Sequence, residues 1–591
     1  MNGTRSGHAP SRETPVAPAQ QMAESAPTGD TALDRPRDSL RTALIMCEVL
    51  CLTVYLTRAF FVGTPSTWLL DWLVSATALV WLVQTVAAIL EERLRLEALA
   101  DELPDLLLLG FFGLSGPHVN LAMLILVCHR VLPWCQPVHR RLRETSTRSL
   151  AVPRIVVLSF ASLILLGGFV LSTPMCHAAE RSTGLVDALF MATSAVCVTG
   201  LAVYDVGQTL SPLGQWILLL LIQIGGLGIM TITTWLALVT GRRLKTVEER
   251  VLHGALGTKD LLELRGLVLT VVRATLLIEG TGAIFLAAFF WSSSSGALGA
   301  LNLGIFHAVS AFCNAGFTLF GTSLVPYRAA PEVLLVVAAL IIAGGLGFDA
   351  LAETFRAVVA RARRTRLQSP LSPSSKLALI STGILLGAGT LGYFFCEHGQ
   401  TFSGMTLGEK VVNSFFCSVT ARTAGFNTVD YGQLARASLL LTLILMFIGA
   451  CPGGTGGGIR ATTAAIAVVT LRSMRGSRGK VTVLERKIPV PVMLRALTII
   501  VAYGGGLLAG VFILTLLEPF PLTDLFFEAT SAIGTVGLST GITPKLSDPG
   551  KLVLVILMFL GRVGMGTMVV VWDREEAPAD ILYPEERFTT G

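Results

Sequence analysis

Charge is scarce in this chain. Only 14% of its 591 residues are Asp, Glu, Lys or Arg, against roughly a quarter in soluble domains. With 52% hydrophobic residues and a mean hydropathy of +0.68, that shortage excludes a soluble globular protein. Thiol and metal chemistry lack their signatures too. The ten cysteines and eight histidines form no CxxC pair and no metal-ligand spacing, so the thiols read as small apolar residues. HExxH and paired aspartates inside spans are missing, and with them the converging acid, base or metal set that a polytopic enzyme needs. No apolar stretch stands near the start. The first forty residues are rich in Pro, Ala, Ser and Thr and read as an uncleaved, disordered tail.

What is present is a succession of apolar runs of about 20 residues, the length that crosses a hydrocarbon core, from Thr42 to Trp572. The chain therefore reads as an all-α polytopic membrane protein. Its net charge of +6 is concentrated in basic clusters at Arg242–Lys245, Arg361–Arg366 and Arg472–Lys480, which place those loops on the cytoplasmic side. The clusters alternate with spans and carry no aromatic interleaving, which argues against nucleic acid as a partner; membrane lipid is the expected surrounding.

Four short stretches resemble one another: SAVCVTGLAV from Ser194, SAFCNAGFTL from Ser310, SVTARTAGFNTV from Ser418 and SAIGTVGLST from Ser531. Aligned on one glycine, they place Gly200, Gly316, Gly425 and Gly537 at intervals of 116, 109 and 112 residues. In three copies the serine stands six residues before the glycine; Ser418 stands seven before. Each stretch lies between two apolar spans, so the unit is span, short pore segment, span, used four times around one central pore. Each short segment is too polar to cross and must dip in from the outer face. Such backbone is tolerated at membrane depth only inside protein or along a watery cavity. Four sets of carbonyls along one path are the physics of a cation filter. Asp205 and Asp430, five residues past their glycines, are either carboxylates at the outer mouth or ordinary loop acids.

The second span of each unit carries a glycine cluster at matched depth: Gly225, Gly344, Gly449 and Gly561 lie 25, 28, 24 and 24 residues past the filter glycines. In the first two copies the cluster is small and reads as helix packing or a kink. In the third it expands through Cys451, Pro452, Gly453, Gly454, Thr455, Gly456, Gly457 and Gly458. Proline removes a helix hydrogen bond and the glycines are poor helix formers, so the helix breaks there. The run lacks the GK[ST] ending of a nucleotide P-loop. A break below the filter obstructs the path until it moves. Copy four has Arg562 at this depth, too central to snorkel easily, while Glu279 and Asp349 are expected to pair structurally within the bundle.

These motifs, with IQIGGLGIMT from Ile222, LMFIGACPGGTGGGIRATT from Leu445, LMFLGRVG from Leu557 and the terminal YPEERFTTG, resemble the Trk/Ktr/HKT potassium transporter superfamily, its KtrB-type (TrkH-like) membrane subunits most closely, over about residues 152–591. The resemblance implies a potassium-channel-like fold and selective potassium uptake at the plasma membrane. No enzymatic activity and no organic cofactor are implied, and sodium is a second candidate ion. As filter residues it implies Val198, Thr199 and Gly200, Asn314, Ala315 and Gly316, Thr423, Ala424 and Gly425, and Thr535, Val536 and Gly537. It implies a homodimer gated by a cytosolic KtrA/TrkA-like nucleotide-binding ring protein. It also places Arg562 in the pore beside the glycine-rich loop, where the guanidinium is expected to raise the barrier and hold the loop. In plant members a serine in the first filter marks sodium preference, so Gly200 argues for potassium. The competing reading is a four-repeat cation channel, or a sodium/potassium transporter, without a ring partner.

The expected organisation is a cytoplasmic tail at 1–40, an accessory membrane region at 41–151, repeats at 152–243, 244–366, 367–487 and 488–574, and a cytoplasmic tail at 575–591. The accessory region has no span with arginine at every third position, so it is not read as a voltage sensor.

Overall fold

A computed structural model describes residues 151–178, 183–228, 261–293, 296–363, 371–474, 481–484 and 486–565. The expected N-terminal tail, nearly all of the accessory region, the basic cluster at Arg242–Lys245 and the C-terminal tail lie outside the described residues.

The described helices recur in one order: long helix, short helix, second helix. The first set is α1 (Ala151–Leu171), α2 (Leu185–Val196) and α3 (Pro212–Leu227). The second is α4 (Leu261–Phe289), α5 (Ala297–Phe312) and α6 (Pro331–Gly345), followed by α7 (Phe348–Ala362). The third is α8 (Pro373–Glu397), α9 (Leu407–Thr420) and α10 (Arg436–Phe447), followed by α11 (Ala461–Met474). The fourth is α12 (Val490–Leu517), α13 (Leu522–Gly534) and α14 (Asp548–Val563). A two-stranded antiparallel hairpin pairs Thr482 with Lys487 and Val483 with Arg486 ahead of α12.

Length and burial separate the long helices from the short ones. Val271–Phe289 of α4, α8 and α12 are long and apolar enough to cross a membrane, and only 28% of each spanning window is buried. Leu277, Ile284, Phe395, Val501 and Leu516 are thus left on an exposed apolar face, which only lipid or another apolar surface can cover favourably. The short helices have 12 to 16 residues, about 18 to 24 Å at 1.5 Å per residue, less than a bilayer core. Their C-terminal halves are largely enclosed, and in α2 and α13 completely so: every residue from Phe190 to Val196 is buried, as is every one from Phe527 to Gly534.

Helix starts follow local chemistry. Ser211, Ser372 and Ser547 accept backbone N–H groups ahead of a proline in the first turn, and Thr406 with Glu409 closes a capping box on α9. Helix ends are set by glycine. Gly228 (φ 79°), Gly347 (φ 86°) and Gly564 (φ 89°) follow α3, α6 and α14 in the left-handed region that L-residues resist. At Gly347 the chain turns so that α7 leaves α6 at 115°. A break is therefore not confined to the third set, where the sequence predicts it: each of the four second helices ends near its glycine cluster, and the cluster glycines of the first two sets, which read as packing points or a kink, stand at such an end. Asp349 consequently stands in the first turn of α7, beyond the bend. The cores pack behind the short helices; one contains Phe290, Leu334, Phe416 and Phe426, another Tyr393, Tyr431, Met446 and Phe527.

Candidate functional site

Just past the C-terminus of each short helix the backbone enters the left-handed region twice. Val198 (φ 55°), Asn314 (φ 60°), Thr423 (φ 70°) and Thr535 (φ 50°) do so two residues before Gly200 (φ 93°), Gly316 (φ 71°), Gly425 (φ 80°) and Gly537 (φ 90°). For a non-glycine residue that conformation costs of order 1 kcal/mol, and here it occurs four times at matched positions. Hydrogen bonds from the short helices hold it. The Thr199, Ala315 and Val536 amides donate to the carbonyls of Ser194, Ser310 and Ser531 at 2.7, 2.7 and 2.8 Å. The Ser194 and Ser531 hydroxyls accept from the Gly200 and Gly537 amides, each at 3.0 Å.

The four segments touch in cyclic order. A Cβ added at Gly200 would strike the carbonyl oxygen of Ala315; one at Gly316, that of Ala424; one at Gly425, that of Val536; and one at Gly537, that of Thr199. The contacts therefore close on themselves, each glycine against the middle carbonyl of the next segment. The Asn314 side-chain amide and the Thr423 hydroxyl add a bond between the second and third segments at 3.2 Å. Lys551 Nζ donates to Asp187 Oδ1 at 2.6 Å and joins α14 to α2.

The glycine clusters pack against the short helices. A Cβ at Gly225, Gly344 or Gly561 would strike the carbonyl oxygen of Val196, Phe312 or Ile533, so only glycine permits that approach. The third set differs: Gly449 faces Gly457, because the loop between α10 and α11 inserts its own backbone. The loop's neck is a parallel bridge between Ile448 and Ile459, with Gly449 N–H donating to the Ile459 carbonyl (2.9 Å) and Ala461 N–H to that of Ala450 (3.0 Å). Arg460 clamps the interior, donating to the carbonyls of Cys451 at 3.3 Å and Gly456 at 2.5 Å.

Bonds from several elements pin this loop. The amides of Cys451 and Thr455 donate to Gly345 and Gly344 carbonyls at 2.9 and 3.1 Å, and the Thr455 hydroxyl to that of Phe312 at 3.1 Å. Gly457 N–H donates to the Thr535 hydroxyl at 3.0 Å, and Phe348 N–H to the Gly453 carbonyl at 3.3 Å. Arg562 spans from the loop to the first set, donating to the carbonyls of Thr455 and Gly225. Arg422, beside Thr423 in the third segment, reaches the Gly449 carbonyl at 3.4 Å.

The residues singled out from sequence thus gather in two adjoining groups, the twelve of the four segments and the loop with Gly449 and Arg562. Two details differ. Ser418 is not the third counterpart of the other serines: it donates to the Leu386 carbonyl on α8, and the Thr420 hydroxyl instead matches that of Ser310, donating to the Phe426 carbonyl at 2.8 Å as Ser310 does to the Phe317 carbonyl at 2.7 Å. The extra residue between α9 and Gly425 is absorbed by a turn in which Ala424 N–H bonds to the Thr420 carbonyl at 3.0 Å. Asp205 and Asp430 spend their carboxylates on turn amides, at Gly207 and Gln208 and at Gly432. Glu279 pairs with neutral groups, accepting from Gln223 at 3.2 Å. Sequence reading missed Arg422, Arg460 and the bracing by Thr455. It also missed that Gly537–Gly541 has the GxSxG spacing of a serine nucleophile. There the Ser539 hydroxyl donates to Glu528 at 2.5 Å within a turn, and no strand-to-helix elbow is formed.

The TrkH family, described as cation transport proteins, matches residues 136–580. The chain is 37% identical to the Ktr system potassium uptake protein B of Vibrio alginolyticus over 74% of this chain and 95% of that protein. It is 36% identical to the potassium/sodium uptake protein NtpJ of Enterococcus hirae over 76% of this chain and 99% of that one. The crystal structure of the potassium transporter TrkH from Vibrio parahaemolyticus shares the fold at a TM-score of 0.58 and 17% identity, covering 89% of this chain and 98% of that one.

Proposed function

Since this chain belongs to the TrkH family of cation transport proteins, we propose that it is a membrane-embedded potassium uptake protein whose ions pass through the ring formed by the four glycine segments. The observation that carries the reading is the cyclic contact of Gly200, Gly316, Gly425 and Gly537 with the middle carbonyls of neighbouring segments. A closed ring leaves carbonyl oxygens as the polar groups along its axis, and such oxygens replace the hydration shell of a cation. The short helices end at the ring, so the negative ends of their dipoles favour a cation there. Four repeats of span, pore segment and span around one path are the architecture this requires.

The loop from Gly449 to Arg460 is the gate in this reading. Its bonds to Gly344 and Phe312 tie it to the second set and its bond to Thr535 to the fourth, it is itself part of the third, and Arg562 extends the barrier to Gly225 of the first. The guanidinium adds a positive charge where a cation must pass. Ktr system relatives are named for a system, which fits a soluble nucleotide-binding ring subunit controlling the loop and a homodimeric membrane component. A second reading, transport of sodium as well as potassium, draws on the name of the Enterococcus hirae relative; glycine rather than serine at position 200 favours potassium.

The test is ion flux into liposomes containing the full chain. Potassium entry that exceeds sodium entry, and that responds to a ring subunit with nucleotide, supports the proposal. Equal entry of both ions supports the second reading, and no entry of either refutes both.

A further inference from the structure

The outer return of each filter segment is held by one of two devices, and the two alternate around the ring. In the first and third sets an aspartate five residues past the glycine caps the return loop: Asp205 accepts from Gly207 and Gln208, and Asp430 from Gly432. In the second and fourth sets that position is Gly321 or Ile542, which has no side chain to do this. Nine residues before the glycine, on the short helix, those two sets instead carry His307 and Glu528, where the first and third carry Met191 and Phe416. His307 stacks on Phe320, four residues past Gly316, with ring centroids 4.7 Å apart.

Glu528 is the stronger device. It is fully buried in α13 and receives the Ser539 hydroxyl at 2.5 Å, the Thr540 amide at 3.2 Å and the Thr543 hydroxyl at 2.8 Å. Ser539 in turn accepts from the Gly541 amide at 2.8 Å. The turn that begins two residues past Gly537 is therefore folded over one carboxylate. A Cβ at Gly432, in the loop capped by Asp430, would come within 3.0 Å of the Thr540 carbonyl. The third set's return loop thus rests on the backbone that Glu528 holds.

We propose that Glu528 is the positioning residue that fixes the outer end of the fourth filter segment and thereby sets potassium over sodium discrimination. Its two oxygens face three donors, so the carboxylate fits the turn as an acceptor at both ends. Glutamine places an N–H₂ donor on one side, and aspartate is a methylene too short to reach Thr543 and Ser539 together. Loosening this end lets the Gly537 carbonyl adjust to a smaller ion, whereas the Val536–Gly537 peptide, a rigid plane, keeps its bond to the Ser531 hydroxyl.

The proposal rests on the pore reading, and the experiment separates the two. Wild type, Glu528→Gln, Glu528→Asp and Thr543→Val are compared as full chains in liposomes for potassium flux, sodium flux and thermal unfolding. Selective potassium flux by wild type tests the pore reading alone. The expected result is that Glu528→Gln folds and lowers the potassium-to-sodium flux ratio by about tenfold, equivalent to about 1.4 kcal/mol, with the aspartate and Thr543→Val proteins intermediate. A folded Glu528→Gln protein with the wild-type ratio overturns the proposal. If that variant does not fold, Thr543→Val decides: an altered ratio supports the brace, and an unaltered one reduces Glu528 to a residue of the fold.

Discussion

Replacing Arg562 by alanine removes the contact that joins the gate loop to the first helix set. Arg562 donates to the carbonyls of Thr455 and Gly225, whereas, apart from the 3.4 Å contact of Arg422 with Gly449, the other bonds that pin the loop from outside are between neutral groups. A hydrogen bond to a charged partner contributes about 1.5–3 kcal/mol, against roughly 1 kcal/mol for a neutral one. Only the bond to Thr455 is made to the loop itself, so at the lower value the closed loop loses about 1.5 kcal/mol, which moves a closed-to-open ratio by about 12-fold. While the closed state predominates, unstimulated flux rises in proportion, and the assay is potassium entry into liposomes without a ring subunit or nucleotide. Charge and tether are separable. Lysine keeps the charge but lacks the guanidinium fork, so Arg562→Lys raises flux if the tether matters and leaves it low if only the charge does. Wild-type flux from folded Arg562→Ala protein refutes both roles.

Deleting Cys451–Gly456 removes the obstruction itself, so basal potassium flux should exceed that of wild type; a folded deletion with no gain contradicts the gate. Gly200→Ser drives a Cβ onto the Ala315 carbonyl and should weaken potassium over sodium discrimination, read as competition between the two ions for uptake. Thr455→Val loses only the bond to the Phe312 carbonyl and should raise basal flux by about fivefold, the effect of about 1 kcal/mol. Gly344→Ala meets that same carbonyl from the other side and should lower the unfolding temperature, since overpacking costs about 1–3 kcal/mol.

Hydropathy and one glycine per copy made much of this arrangement legible. Long helices must be apolar to face lipid, and the ring positions admit no side chain, so both demands write themselves into residue type. Val198, Asn314, Thr423 and Thr535 carry no such mark. Their left-handed backbone is imposed by bonds from the short helices, and valine or threonine does not announce it. The shift from Ser418 to Thr420 was hidden because both are small hydroxyl residues and only the path of the chain distinguishes them. The breaks at Gly228, Gly347 and Gly564 did have a signal: each glycine follows a cluster glycine by three residues, the spacing of a left-handed stop after a last helical turn.

The asymmetry of the third set follows from what Gly449 does not touch. In the other three sets the cluster glycine presses on the last turn of its own short helix, at Val196, Phe312 or Ile533. In the third, Gly449 packs on Gly457 and a Cβ at Gly456 would strike the Thr423 hydroxyl, so the inserted backbone lies directly against the third glycine segment. The neck bridge of Ile448 with Ile459 and the internal clamp of Arg460 keep that insert folded without its outer contacts. Its outer contacts fall largely on the bend between α6 and α7: Gly344, Gly345 and Phe348 each bond to it. A displacement of α7 therefore reaches the loop directly through the Phe348 amide, while the ring above keeps its own bonds to the short helices. If the loop is the gate proposed above, it leaves the path as a body, with α7 as the element through which force arrives, and the four glycine segments are not remade each time it opens.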